Sequence, residues 1–455
     1  MSGPKVVRIV TRDEIIAVCQ GQLARVDAAL EHWIRLGRRN ECLADSEIAA
    51  AQKRRHELAA LITSDRFTDF QKQAQEEEAF FRSDLEVRLA KVAAEAATAR
   101  SRERRVAQAA GTLLSVLRQS GKPIDAELER ALERAAAGRG DNDALAAGFA
   151  LLAEPDPVLS EALRAQAARL KDGDDRKSFA QWLAAQPTPR AEPELQRLET
   201  RLASIAQLGD HARTAEWEVR LRTAAAEDDV ARRGLLIDSL DIELGRALKE
   251  MRALMKAREE GLLLLAELES AGVSDAILTV DAITAASDVA TIDVLIAKGK
   301  NLLESKRASV AAAARRAAVL TGLAELGYEV TEGMSTAWIE QGRVVLRKAA
   351  QPEYGVEVAG SAEIGRLQMR AVAFTQAGAG PDPWRDSEVE TTWCGDVASL
   401  TASLAEAGGG LVIERALAVG VTPLKRIEVT DGAASLISRE GPMRQSDRVA
   451  ETKAR

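Results

Sequence analysis

Residues 5–10, KVVRIV, have the composition of a β-strand, yet almost everything from residue 11 to 327 reads as helix. A strand cannot stand alone, because its N–H and C=O groups need a ladder partner. The other stretches that read as strands lie between residues 328 and 420. The chain must therefore bring its two ends together or lend the strand to another protein. We expect the first. The helical middle folds back as a hairpin, and residues 5–10 add as an edge strand to a C-terminal sheet. Arg8 is costly to bury unpaired, so Val7 and Ile9 should face the core while Val6, Arg8 and Val10 face away.

The helices have sequence signals of their own. Thr11 and Glu14 are spaced for a capping box. The longest apolar stripe follows a cap expected at Ser64 or Asp65 and runs through Phe67, Phe70, Ala74, Phe81, Leu85, Leu89, Val92 and Ala96 to Leu117. As one helix it would be roughly 80 Å long at ~1.5 Å per residue. Such a rod cannot bury its stripe alone and needs an antiparallel neighbour or a second chain. Aromatics are only 3% of the chain and charged residues 29%, a balance suited to long helices rather than a thick core.

The expected fold is mainly α: a long antiparallel helical or coiled-coil arm with a small C-terminal α+β domain, an antiparallel sheet plus helices. The segments are a strand at 1–10, long helices at 11–120, a short-helix region and arm tip at 121–193 that includes Phe149, Phe179, Trp182 and Leu183, returning helices at 194–327, the α+β domain at 328–437 and a disordered tail at 438–455. Within the domain YEVT, STAWIE, RVVLRK, YGVEVA, RLQMRAVAF and LVIERALAV read as strands, with a hairpin at Gln341-Gly342, a loop over TQAGAGPDPWRDSE and a helix at about 396–407.

Catalytic motifs are harder to find. The head-and-arm outline is similar to that of SMC-like ATPases, in outline only. A phosphate-cradling loop needs two glycines and a Lys-Ser/Thr pair at fixed spacing. Gly299-Lys300 is followed by Asn301, with Val294 in the first glycine's place, and Gly121-Lys122 is followed by Pro123. His32, His56 and His211 are scattered over helices, with no metal-ligand spacing. Cys394 suits either a nucleophile served by a distant histidine or a small buried residue beside Trp393; we favour the second. Asp382, Asp386, Glu388, Glu390 and Asp396 offer carboxylates for a divalent ion, but no nearby Lys or His in their loop, so a solvated loop is the preferred reading. Arg100, Arg102, Arg104 and Arg105 form the densest basic patch and should pair with acidic residues of a neighbouring helix.

Four aromatics of the C-terminal domain, Trp338, Tyr354, Trp384 and Trp393, are expected to be exposed and to bind a partner. The net charge of −8 argues against nucleic acid as a ligand of the chain on its own. Three scattered cysteines, no signal peptide and no long apolar run point to a cytoplasmic protein, away from membranes. The expected role is a non-enzymatic scaffold or adaptor, without cofactor or small-molecule substrate, that forms a homodimer and binds a protein through its head. The alternatives are an accessory subunit of a bacterial DNA-acting or NTPase machine, and a metal-dependent hydrolase or nuclease built on residues 382–396.

Overall fold

Thr11 ends the first strand and caps the first helix, its hydroxyl accepting from the Glu14 N–H at 3.3 Å. Glu14 does not complete a capping box, because its carboxylate is drawn to Arg315 instead. A computed structural model describes residues 4–121, 123–139, 142–153, 193–209, 211–227, 229–274, 278–360, 362–375 and 382–428. Phe179, Trp182, Leu183, most of the 187–193 link and the tail from 438 lie outside the described residues.

From strand β1 (Lys5–Val10) the chain enters helices α1 (Arg12–Arg39), α2 (Asp45–Thr63) and α3 (Phe67–Gln119). Gly37 lets α1 end tightly, since a Cβ there would lie 1.9 Å from Leu43 Cδ1. Helix α3 is continuous over 53 residues. Its cap is neither Ser64 nor Asp65: Asp65 takes a left-handed φ of 57° in the turn, which pushes the helix start to Phe67. Phe70, Ala74, Phe81 and Leu85 fill a core with α1 and α2. Further along, Ala93, Ala97 and Ser101 line the buried face, one step from the expected Val92 and Ala96. Residues that small admit a closely packed neighbour.

That neighbour comes from the same chain. Beyond α4 (Ala126–Ala136) and α5 (Asn142–Ala153), which pack on the last turns of α3, helix α6 (Pro193–Leu208) lies along α3. Helix α7 (His211–Ala225) and the N-terminal half of α8 (Val230–Ser270) build a core with α6 around Leu198, Leu202, Trp217 and Leu244. Arg104 of α3 reaches Glu199 of α6, and Arg82 reaches Glu259 and Glu260 of α8. Two residues of the basic patch thus pair with neighbouring helices, Arg104 and also Arg100, which reaches Glu218, whereas Arg105 donates to Ser101 O of its own helix. The short α9 (Val280–Ala285) turns the chain into α10 (Val289–Glu325), whose cap is Asp288, and α10 runs into the head.

The head is a mainly antiparallel six-stranded sheet with helices on one face. After α10 come α11 (Met334–Gln341), β2 (Arg343–Lys348), β3 (Gln351–Ala359), β4 (Arg366–Thr375), α12 (Pro383–Glu406), β5 (Gly410–Ala416) and β6 (Lys425–Glu428). The order is β2-β3-β4-β1-β5, with β6 parallel to the end of β4. The N-terminal strand does join this sheet, with Val7 and Ile9 fully buried. It is not an edge strand: it lies between β4 and β5, paired on both sides.

Two other sequence expectations change. STAWIE is helical, because Gly333 and Gly342 close both ends of α11 in the left-handed region, and the helix lays Trp338 into the core. YEVT contributes a single bridge, Tyr328 to Lys348. The expected loop around 382–396 is the first half of α12, started by the Asp382 side chain accepting from Trp384 and Arg385 N–H groups, with Pro383 in the first turn.

Candidate functional site

Cross-strand pairs assign every strand residue of the head to one of two faces. On the inner face Val7, Ile9, Leu346, Val356, Val358, Leu367 and Met369 meet Leu323 of α10, Trp338 of α11, and Trp393, Val397 and Leu400 of α12. Helix α10 can come this close to α12 because residue 322 is glycine, where a Cβ would lie 2.3 Å from Leu400 Cδ1.

This packing corrects the expected exposure of the aromatics. Trp338, Tyr354 and Trp393 are core residues, at 2%, 7% and 1% exposed, whereas Trp384 is 89% exposed at the start of α12. Trp338 donates to Gly360 O at 3.2 Å, and the rings of Tyr328 and Trp393 meet edge to face. Helical periodicity explains the split, since residues 389, 393, 397, 400 and 404 share one face of α12 and residue 384 does not. Replacing Trp393 by Ala should cost about 3–5 kcal/mol. Replacing Trp384 by Ala should change stability by no more than about 0.5 kcal/mol. Urea unfolding of the two variants measures the contrast.

The acidic residues that offer carboxylates for a divalent ion are dispersed around α12. Asp382 caps the helix. Asp386 accepts from Tyr354 and Arg426, Glu390 accepts from the Gly420 N–H at 2.7 Å, and Asp396 is shared by Tyr328 and Lys348. Burial and the Asp396 hydrogen bond both push the Tyr328 phenol above its usual range. Among the described residues no group of three or more His, Cys, Asp or Glu is placed to hold a metal ion. Cys394 faces Lys5, while the three histidines lie in the arm helices.

The outer face of the sheet is different, and the sequence reading missed it. Register places Arg8 opposite Arg366 and Val412, Glu357 between Val345 and Arg370, and Lys425 opposite Val372. Arg343, Arg347 and Arg415 share this face by the same pairings. Glu357 is only 1% exposed, and its carboxylate receives Arg370, Lys425 and Arg343. Burial by itself would raise this carboxyl, but the hydrogen bonds from Lys425 and Arg370 outweigh it and hold the group below the usual range. Glu414 is shared in the same way by Arg8 and Arg366. Arg347 lies over the Phe374 ring at 4.9 Å. The described part of this face thus carries seven cationic side chains and two carboxylates, in a chain whose net charge is −8. Alternating cations in RVVLRK and in RLQMR were the signal available in the sequence.

One large concavity lies elsewhere, where the arm meets the head. It is a cleft of about 590 Å³ between α1, α8 and α10. Pairs between elements cross it: Arg307 with Glu267, and Arg315 with Glu14 and with the carbonyls of Ala362 and Glu363. These contacts fasten the arm to the head.

No family model matches this chain, and comparison with curated proteins and with solved structures gives no significant match. No helix among the described residues is long and apolar enough to cross a membrane.

Proposed function

We propose that the chain is a non-enzymatic scaffold or adaptor whose head docks an acidic segment of a partner protein on the outer face of its sheet. The observation that carries this reading is the charge balance of that face. Two carboxylates cannot neutralise seven cations, and Arg8, Arg343 and Arg366 keep more than half of their side-chain surface in water. Along a strand, alternate residues repeat every ~6.8 Å, a spacing that carboxylates on alternate residues of an extended acidic peptide would match.

A nucleic acid strand would be attracted by the same charges, which is the form the accessory-subunit alternative takes. Single-stranded nucleic acid also calls for exposed aromatic platforms, and on this face Phe374 lies beneath Arg347. The acidic protein segment is therefore the favoured partner. The hydrolase alternative has less support, because its carboxylates are engaged one by one around α12. Cys19, Cys42 and Cys394 form no disulfide with one another, which suits a reducing cytoplasm. The buried face of α3 is filled by helices of the same chain, so this reading does not require the homodimer.

Replacing both Arg8 and Arg366 by Gln tests the proposal, using a fluorescein-labelled glutamate-rich peptide as probe. Two solvated charges, each contributing about 0.7 kcal/mol, predict about tenfold weaker binding and a shallower dependence on salt. Unchanged affinity for the peptide rejects the docking face. Tighter binding of a DNA or RNA strand of equal charge moves the choice to the accessory-subunit reading.

A further inference from the structure

Lys5 is the first residue of β1 and lies on the inner face of the sheet, on the same side as Val7 and Ile9. It is 2% exposed. A lysine buried to this degree ordinarily ends on a carboxylate. Here its Nζ lies 3.3 Å from Cys394 Sγ and 5.8 Å from the centroid of the Trp393 ring. Asp396, the carboxylate two residues along α12, is held by Tyr328 and Lys348. A nitrogen nucleophile and an oxidisable sulfur therefore face each other at a separation typical of reacting atoms, about 3–3.5 Å.

We propose that Lys5 and Cys394 form a covalent nitrogen–sulfur cross-link when the protein meets a peroxide. Hydrogen peroxide takes the Cys394 thiol to the sulfenic acid and releases one water, a two-electron oxidation of sulfur with reduction of the peroxide. The lone pair of the Lys5 amine then attacks that sulfur. The S–N bond forms as the S–O bond breaks, and the leaving hydroxyl takes a proton from nitrogen as a second water. Thiol, amine and one peroxide become a sulfenamide and two waters, and a thiol reductant reverses the link.

The consequence follows from where the two residues sit. They are 389 positions apart, one on β1 and the other on α12. The link fastens the N-terminal strand inside the C-terminal head, so an oxidant would lock the closure of the fold. Neither Cys19 nor Cys42 has a lysine hydrogen-bonded to it among the described residues.

The test uses the full-length, fully reduced protein, treated with hydrogen peroxide, alkylated, denatured and digested with trypsin. Mass spectrometry should find a peptide pair joining Lys5 to Cys394, lighter by two hydrogens than the sum of its parts, as the main product of Cys394. Dithiothreitol should abolish it, and trypsin should cut after Lys5 only in the reduced sample. The urea midpoint should rise on oxidation in the native protein and stay fixed in Cys394→Ser and Lys5→Arg. Recovery of Cys394 as the sulfinic acid, with Lys5 open to trypsin, overturns the proposal. The native protein alone decides it, so an unstable variant does not block the test.

Discussion

A chain lacking residues 1–10 is expected to lose its C-terminal head as a folded unit. An edge strand can sometimes be removed and leave a smaller sheet behind; β1 is an interior strand, and its removal separates β5 from β4. Val7 and Ile9, both fully buried, contribute roughly 3–6 kcal/mol by area alone. That is comparable to the whole net stability of a typical domain, about 5–15 kcal/mol, before any ladder hydrogen bonds are counted. Leu367 and Leu411 would be left facing a vacated strand position. Hydrogen exchange should show β4 and β5 amides unprotected in the truncated chain while α3, α6 and α8 keep their protection. The single change Ile9→Ala should lower stability by about 2–5 kcal/mol in the intact chain. Protected β4 and β5 amides in the truncated chain would refute this account.

The closure of the fold was legible because it rests on strand chemistry that any sheet obeys. A strand needs a partner, and the only partners on offer lay at the far end of the sequence. Whether β1 sits at the edge or inside was not legible, because one strand's composition says nothing about how many neighbours it has. The helical arm was readable from periodicity and from the cap at Thr11. STAWIE failed because it is too short for either period to declare itself; the glycines flanking it carried the better signal. The burial of three of the four aromatics was illegible for a different reason. Trp393 precedes the helix expected at about 396–407, and only a continuous α12 shows that it shares a face with Val389, Val397 and Leu400. The cationic face was written in the sequence as alternating arginines, but it emerges only when five strands are aligned, since no one strand carries more than two or three of its charges.

The second large effect is expected at Glu357, where stability and binding should move in opposite directions. Glu357→Gln keeps the shape and removes the charge on which Arg343, Arg370 and Lys425 converge. Breaking a buried pair by neutralising one partner costs about 3–5 kcal/mol; the cations here are about one-third to one-half solvated, which favours the lower end, about 3 kcal/mol. The sign with pH is fixed by the direction of the shift. The folded-state carboxyl lies below its unfolded value, so its contribution is complete above the ordinary glutamate pKa of about 4.3 and is lost as pH falls through the lower, folded-state value. The native protein should therefore weaken on acidification over that range, and the difference from Glu357→Gln should shrink towards zero there. At neutral pH the same variant leaves three cations without their shared counter-charge. The acidic peptide should then bind more tightly than to the native head at low salt, even though the head that binds it is less stable. A role confined to stability would lower both together. Urea titrations at pH 7 and at pH 3, beside peptide affinity at pH 7, separate the two, and parallel losses in both would remove the outer face from the functional account.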